Sequence, residues 1–197
     1  MNWESTKQYA YKIFSRLWVQ WVHEGTYPAE TSGKKMLNTI LGTLISSHCP
    51  QCMNLNGCCF VKEKAPSPPL HDHCHCYMSD ISGINPVVEC PTEKFSGYIF
   101  SENKSGGKKD LFESWGYNII DSTVLAQEFT NQAKLAYLSG EYYLGNLDQF
   151  GQRISILITL PRKVGTGTVS FVSGWMVYPN GKIILTTPYG GKIHETA

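Results

Sequence analysis

The sequence predicts an α+β protein in which a helical, zinc-stapled N-terminal module precedes a domain of two helices and an antiparallel meander. Three observations lead to this prediction. Apolar residues recur at helical spacing near the N-terminus, cysteines and histidines cluster after them, and β-branched residues alternate towards the C-terminus. The chain of 197 residues has room for two small domains. The predicted units are a zinc-binding module (1–80), a connector (81–91) and an α+β domain (92–197).

The N-terminal region carries two helical patterns. Ser5-Thr6-Lys7-Gln8 has the character of a capping box. Apolar side chains then recur every four residues on one helical face, at Tyr9, Ile13, Leu17 and Trp21. This spacing predicts an amphipathic helix that ends at Gly25. A second helix is predicted from Ser32 to Ser46, and it leads into the first cysteines.

Cysteines and histidines form two compact groups with the spacing of metal ligands. The first is Cys49-Pro50-Gln51-Cys52, whose two-residue gap lets both thiolates reach one ion. The second is His71-Asp72-His73-Cys74-His75-Cys76. Disulfide partners in a small secreted domain would be spread more evenly, so the clustering favours a structural zinc ion. The predicted zinc ligands are Cys49, Cys52, His71 and Cys74, with Cys76 and His73 as alternatives, whereas Cys58 and Cys59 are predicted to lie outside the site.

The segment that holds these groups resembles a known family. The shared motif is a C-x2-C pair, a Leu-x-Gly step, a proline-rich approach and a final H-x2-C-x-C. It falls on Cys49, Cys52, Leu55, Gly57, His71, Cys74 and Cys76. Residues 45–78 are therefore similar to the zinc-binding segment of Mu F-like phage head morphogenesis proteins. The resemblance implies a phage-structural context, although that family has a long helical body before the segment, and the segment also occurs in toxin-like proteins.

The second half predicts a connector followed by helices and strands. Gly83, Pro86 and Pro91 mark the connector, and a short strand is predicted from Phe95 to Phe100. The predicted helices are Lys109 to Trp115 and Thr123 to Leu138, and the predicted strands are Arg153 to Leu160, Gly167 to Tyr178 and Lys182 to Thr187. Asn180-Gly181 predicts a tight hairpin, because both central positions of a type I′ turn need positive φ.

A second resemblance covers residues 92–193. Its motifs are Gly97-Tyr98-Ile99-Phe100, Gly106-Gly107-Lys108, Phe112 to Tyr117, Phe150-Gly151-Gln152-Arg153 and Ser173 to Val177. They look like a domain of unknown function found at the C-termini of bacterial polymorphic toxins and some phage head proteins. The element order also resembles the barnase, EndoU, colicin and RelE ribonucleases, a likeness of fold that does not establish chemistry. Relatives often have a histidine where this chain has Gly107, so a general base is lacking there.

Four residues are candidates for metal-independent RNA cleavage, which needs a base, a cation near the phosphate and an acid. Lys108 and Arg153 are the candidate cations, His194 is the candidate acid or base, and Thr186 is a hydroxyl on the sheet. Each also has a structural interpretation: a solvated basic turn for Lys108, an ion pair for Arg153, an exposed hydroxyl for Thr186 and a terminal side chain for His194.

The leading functional hypothesis is a toxin-like or phage-derived protein whose C-terminal domain cleaves RNA. The alternative is a non-enzymatic zinc-binding interaction protein from a phage head or secretion context. A catalytic zinc hydrolase, with Asp72 or Glu63 as base, ranks third because thiolate-rich sites are usually structural. The expected partners are an RNA substrate, an immunity protein or a phage-structural protein.

Charge and hydropathy limit the classes of partner and location. The formal net charge of +1 gives no global electrostatic case for nucleic-acid binding. No apolar run approaches the roughly 18 residues that a membrane span needs, and the N-terminus does not have the pattern of an export signal. We therefore expect a chain that is cytoplasmic as synthesised, with delivery to another cell or packaging in a virion implied by the two resemblances.

Overall fold

β-Sheet dominates the part of the chain that the structure describes. The computed structural model describes residues 13, 16–23, 50–72, 74, 76–102, 106–191 and 193–196, the last segment by its backbone alone. Within these residues, nine strands form two sheets, joined by three α-helices and three shorter helical turns. The predicted fold class, a helical N-terminal module followed by two helices and a meander, is therefore wrong.

The N-terminal sheet has three antiparallel strands. β1 (Trp18–His23) lies between β2 (Cys59–Val61) and β3 (Cys76–Ile81). β1 occupies the end of the first predicted helix, which is wrong there because aromatic and β-branched residues fill this stretch and favour pairing in a sheet. Trp21, assigned to a helical face, is fully buried in the strand. Most of that predicted helix and all of the second lie outside the described residues.

A short helix carries the first described cysteine. α1 (Pro50–Leu55) buries Cys52 and Leu55, and the chain then turns at Gly57 before entering β2. Gly57 has a φ of 80°, and a Cβ at this position would lie 3.1 Å from the Cβ of Pro179. Both the left-handed backbone and the close approach favour glycine. The turn thus brings the cysteine-bearing segment against the hairpin at Pro179, where Cys58 forms an isolated bridge.

The second sheet is built around an antiparallel meander. The strand order is β4-β8-β7-β6-β5, with β4 parallel to β8 and β9 pairing with β7. The strands are β4 (Val87–Glu89), β5 (Tyr142–Asp148), β6 (Gly151–Pro161), β7 (Thr168–Tyr178), β8 (Lys182–Thr187) and β9 (Ile193–Thr196). The three strands predicted between Arg153 and Thr187 are present as β6, β7 and β8. The predicted hairpin is also confirmed, with φ of 60° at Asn180 and 74° at Gly181.

Helices cover one face of this sheet. α2 (Lys108–Ser114) and α3 (Ser122–Ser139) confirm the two helices predicted in this half, and Lys62–Lys64 and Ile119–Asp121 are single 3-10 turns. The strand predicted from Phe95 to Phe100 is wrong, because Phe95–Ile99 forms a π-helical turn that buries Phe95 and Ile99 on one side. The rings of Phe129 from α3 and Phe112 from α2 lie 5.9 and 5.8 Å from the ring of Phe171 on β7.

One hydrophobic core joins the two sheets. The hydroxyl of Tyr137 on α3 donates to the carbonyl of Cys59 on β2, and the rings of Tyr137 and Trp18 lie 5.5 Å apart. The hydroxyl of Tyr142 accepts a hydrogen bond of 3.1 Å from the amide of Val61. The connector predicted over residues 81–91 contains β4, which is part of the second sheet. The N-terminal sheet is therefore packed on the C-terminal half, while the predicted unit boundaries stay a prediction.

Tyr137→Phe tests this junction. Burial raises the pKa of Tyr137 well above its usual value, so its hydroxyl stays protonated and donates. Removing the hydroxyl deprives the buried Cys59 carbonyl of a donor, and we expect the free energy of unfolding in urea to fall by about 1–3 kcal/mol. Tyr143→Phe is the matched control, because Tyr143 is 71% exposed. Equal, small effects of both substitutions would contradict a role of the buried contact in joining the sheets.

Candidate metal centre

Cys52 lies at the centre of the cysteine and histidine cluster. Its Sγ is 3.1 Å from Nε2 of His71 and 3.7 Å from Sγ of Cys74. All three ligand atoms lie within 4.8 Å of one another. A tetrahedral zinc ion with Zn–S bonds of about 2.3 Å places two sulfurs about 3.8 Å apart. The separation of Cys52 and Cys74 therefore fits two ligands of one ion.

The ring of His71 has the orientation of a metal ligand. Its Nδ1 lies 2.7 Å from the carbonyl oxygen of Asp72, which can only accept a hydrogen bond. Nδ1 therefore carries the proton, and the lone pair of Nε2 points towards Cys52. A backbone carbonyl that fixes the tautomer in this way is the usual support of a metal-bound histidine.

A second group shares the same cysteine. His23 at the end of β1 pairs across the sheet with Cys76 at the start of β3, and Nδ1 of His23 lies 3.2 Å from Sγ of Cys76. The ligand atoms of His23, Cys52 and Cys76 also lie within 4.8 Å of one another. Cys52 and Cys76 are buried and His23 is half-buried, so this group forms the inner side of the cluster.

The environment of Cys74 favours its thiolate. Burial raises the pKa of this thiol, but hydrogen bonds from the backbone of Leu70 and Cys76 and from the side chains of Cys76 and Cys52 outweigh burial. Together they lower the pKa of Cys74 to about 7. The thiolate is the form that binds a metal, so this cysteine is prepared for coordination near neutral pH.

Three other cysteines have the environment of ordinary core residues. Burial raises the pKa of both Cys58 and Cys90 to about 12, and it also raises the pKa of Cys59. The Cys58 thiol donates to the carbonyl of Asn54 at 3.4 Å. No disulfide joins the six cysteines that the structure describes. The structure thus places Cys58 and Cys59 apart from the two ligand groups, where the sequence also placed them.

The structure brings together three of the four predicted ligands, Cys52, His71 and Cys74, and it adds Cys76 in the second group. Cys49 and the alternative ligand His73 lie outside the described residues. Sequence reasoning missed His23, because it assigned this stretch to a helix. The aromatic and β-branched residues of Trp18–His23 were the available signal for a strand, and a strand places Trp21 and His23 on the same face.

The structure separates two of the candidate catalytic residues. Arg153 on β6 alternates with the buried Ile154 and therefore points to the face opposite the helices, where its Nε lies 2.8 Å from Oδ2 of Asp148. Lys108 begins α2 on the helical side of the sheet, and its Nζ donates to the hydroxyl of Tyr98 at 2.6 Å. The sheet lies between these two cations.

The other two candidates, Thr186 and His194, lie on β8 and β9, which both pair with β7. Thr186 is the extra residue of an irregularity between β7 and β8, and its carbonyl accepts a hydrogen bond of 3.1 Å from Nζ of Lys94. The backbone of His194 pairs with Ser170 of β7. Thr187, the residue after Thr186, pairs with Gly174 of β7. The backbones of Thr186 and His194 thus lie beside different parts of β7.

Comparisons with known proteins add no assignment to this geometry. No protein-family model, no curated protein and no solved structure matches the chain. Among the described residues, none of the helices is long and apolar enough to span a membrane.

Proposed function

We propose that this chain is a zinc-stabilised, non-enzymatic interaction protein. The observation that carries the proposal is the convergence of Cys52, His71 and Cys74, with separations that suit one tetrahedral ion. Zinc is favoured over calcium or magnesium because thiolates and imidazoles are its preferred ligands, whereas those ions take oxygen ligands. The ion would hold the loop before β3 against α1 and so complete the N-terminal sheet.

A structural ion suits this ligand set better than a catalytic one. A catalytic zinc keeps one position open for water and needs a nearby base, whereas a thiolate-rich set closes the coordination shell. Cys76, in the second group with Cys52, supplies a further thiolate for the remaining position. Of the two carboxylates considered as bases, Glu63 faces Arg16, with Nη1 and Oε2 3.9 Å apart. The proposal therefore assigns the metal to stability and to presentation of a binding surface.

RNA cleavage by the C-terminal half has less support. Its chemistry needs a base, an acid and a cation within hydrogen-bond reach of one phosphate. Lys108 and Arg153 lie on opposite faces of the sheet, and each already contacts a polar group, the hydroxyl of Tyr98 and the carboxylate of Asp148. The resemblance of residues 45–78 to phage head proteins is in keeping with a protein partner in a phage or secretion context.

Metal content and RNA integrity test the proposal together. Reduced, freshly purified protein should carry about one zinc ion per chain by elemental analysis, since four protein ligands close one tetrahedral site. The same protein, incubated with RNA in EDTA, should leave the RNA intact, and its expression in a bacterium should not arrest growth. Absence of bound metal would overturn the zinc assignment.

The control for RNA cleavage is a double variant, Lys108→Ala with Arg153→Ala, purified in parallel. A contaminating ribonuclease would cleave RNA equally in both preparations. Cleavage and growth arrest by the natural chain, both lost in the double variant, would instead establish the RNA-directed toxin and overturn the non-enzymatic assignment.

A further inference from the structure

We infer that His23 positions Cys76 as a metal ligand by donating a hydrogen bond from Nδ1 to the Cys76 thiolate. The inference rests on the proposed zinc site, and it adds a residue from β1 that no cysteine or histidine motif in the sequence identifies. It also explains why a histidine ends this strand beside the cluster. The zinc ion would then be connected to the central strand of the N-terminal sheet.

Cys76 has the surroundings of a zinc ligand. Its Sγ shares a compact group with Sγ of Cys52, and the side chain of Cys76 also interacts with that of Cys74. Cys76 is therefore next to both Cys52, which belongs to the group of His71, and Cys74. Cys76 is 9% exposed, so a thiolate here needs compensation for lost solvent, which a zinc ion and a hydrogen-bond donor provide.

Two backbone interactions hold His23 beside Cys76. The antiparallel register pairs His23 directly with Cys76, and the backbone amide of His23 donates to Oδ1 of Asn56 at 3.0 Å. This contact holds the end of β1 against the turn that follows α1. The separation of 3.2 Å between Nδ1 and Sγ is within hydrogen-bonding distance for a sulfur acceptor.

A zinc-bound cysteine has lost its proton and can only accept, so the hydrogen atom must lie on Nδ1 of His23. A donor at this position stabilises the negative charge on sulfur and restricts its rotation, as outer-shell partners do in other metal sites. Removing such a partner typically weakens metal affinity by about 10–100-fold. In the inferred arrangement His23 acts through Cys76 and is not itself a ligand, although its ring nitrogen lies within 4.8 Å of the ligand atoms of Cys52 and Cys76.

Two conservative substitutions of His23 test whether the hydrogen-bond donor is needed at the position of Nδ1 or at that of Nε2. Asn places its side-chain NH₂ close to the position of Nδ1, whereas Gln places it close to that of Nε2. His23→Asn should keep zinc affinity near that of the natural chain, while His23→Gln and His23→Ala should bind zinc about 10–100-fold more weakly in competition with a chromogenic chelator. Cobalt(II) loading of the natural chain and His23→Asn should give the same d–d and thiolate charge-transfer bands.

Val22→Ala is the control for damage to the strand, because Val22 points to the opposite face of β1 and should leave affinity unchanged. Unchanged affinity in His23→Ala would overturn the inference. So would a His23→Asn protein as weak as His23→Ala with a shifted cobalt spectrum, because that result makes His23 a ligand. If the natural chain binds neither zinc nor cobalt, the proposed zinc site itself is wrong. This result differs from the two above, in which the chain binds metal but His23 does not have the inferred role.

Discussion

Removing the zinc ion should unfold the N-terminal sheet and leave the large sheet folded. β1 and β3 meet the metal group at His23 and Cys76, and the loop before β3 is held by His71 and Cys74. Structural zinc contributes about 10–16 kcal/mol in small zinc-binding peptides at neutral pH, which equals or exceeds the whole stability of an ordinary domain. The packing of the N-terminal sheet on the shared core, with the hydrogen bonds of Tyr137 and Tyr142 to β2, is not expected to replace that contribution.

Hydrogen exchange followed by mass spectrometry measures the effect segment by segment. After EDTA, peptides from β1 and β3 should exchange at rates close to those of an unfolded chain. Peptides from β6 and β7 should stay protected, because Phe171 of β7 packs on Phe112 and Phe129 and β6 pairs with β7 along its length. Adding zinc back to the chelated protein is the control and should restore protection in β1 and β3. Unchanged protection of β1 after complete metal removal would contradict a structural role for the ion.

Local patterns explain why much of the second sheet could be predicted from the sequence. Alternation along β6 and β7, and the pair Asn180 and Gly181, encode strands and a tight turn within a few residues of chain. α3 likewise ends at Ser139, followed by Gly140 in a left-handed conformation, as helix-end chemistry predicts. These signals come from residues that are close together in the chain, so they can be recognised in a single sequence.

Non-local pairing explains the errors in the first half. Spacing of four residues from Tyr9 to Trp21 matches a helix, but Trp18 and Trp21 are also strand formers, and the choice between the two depends on β2 and β3. Those partners are distant in sequence, so no local window contains them. β4 has the same property, because most of the C-terminal half separates it in sequence from its parallel partner β8.

The candidate metal site was predictable in part for the same reason. Cys52, His71 and Cys74 belong to short motifs whose spacing is itself the signal. His23 has no such motif, since it reaches the cluster only through its pairing with Cys76. The positive charges of Lys108 and Arg153 are visible in the sequence, but the face of the sheet on which each residue lies is not. That face depends on the register in which the strands pair.

Cys52→Ser should abolish metal binding and destabilise the N-terminal sheet, whereas Cys58→Ser should keep the metal. Cys52 belongs to both ligand groups, so its loss removes a donor that no other described cysteine replaces. The serine hydroxyl is not ionised near neutral pH and is a poor ligand for zinc. We expect a chain without bound zinc in elemental analysis and with β1 exchanging as rapidly as in the chelated protein.

Cys58 is the matched control because it is also a fully buried thiol of the same segment. Its thiol donates to backbone carbonyls outside the cluster, at 3.4 Å to Asn54 and 3.8 Å to Val177, so a serine there changes packing and not coordination. Cys58→Ser should lower the free energy of unfolding by about 1–3 kcal/mol, as polar substitutions of buried groups do. Its zinc content should equal that of the natural chain. If Cys52→Ser keeps zinc at the affinity of the natural chain, the metal binds elsewhere. If both variants lose zinc equally, the loss reflects general unfolding and not coordination by Cys52.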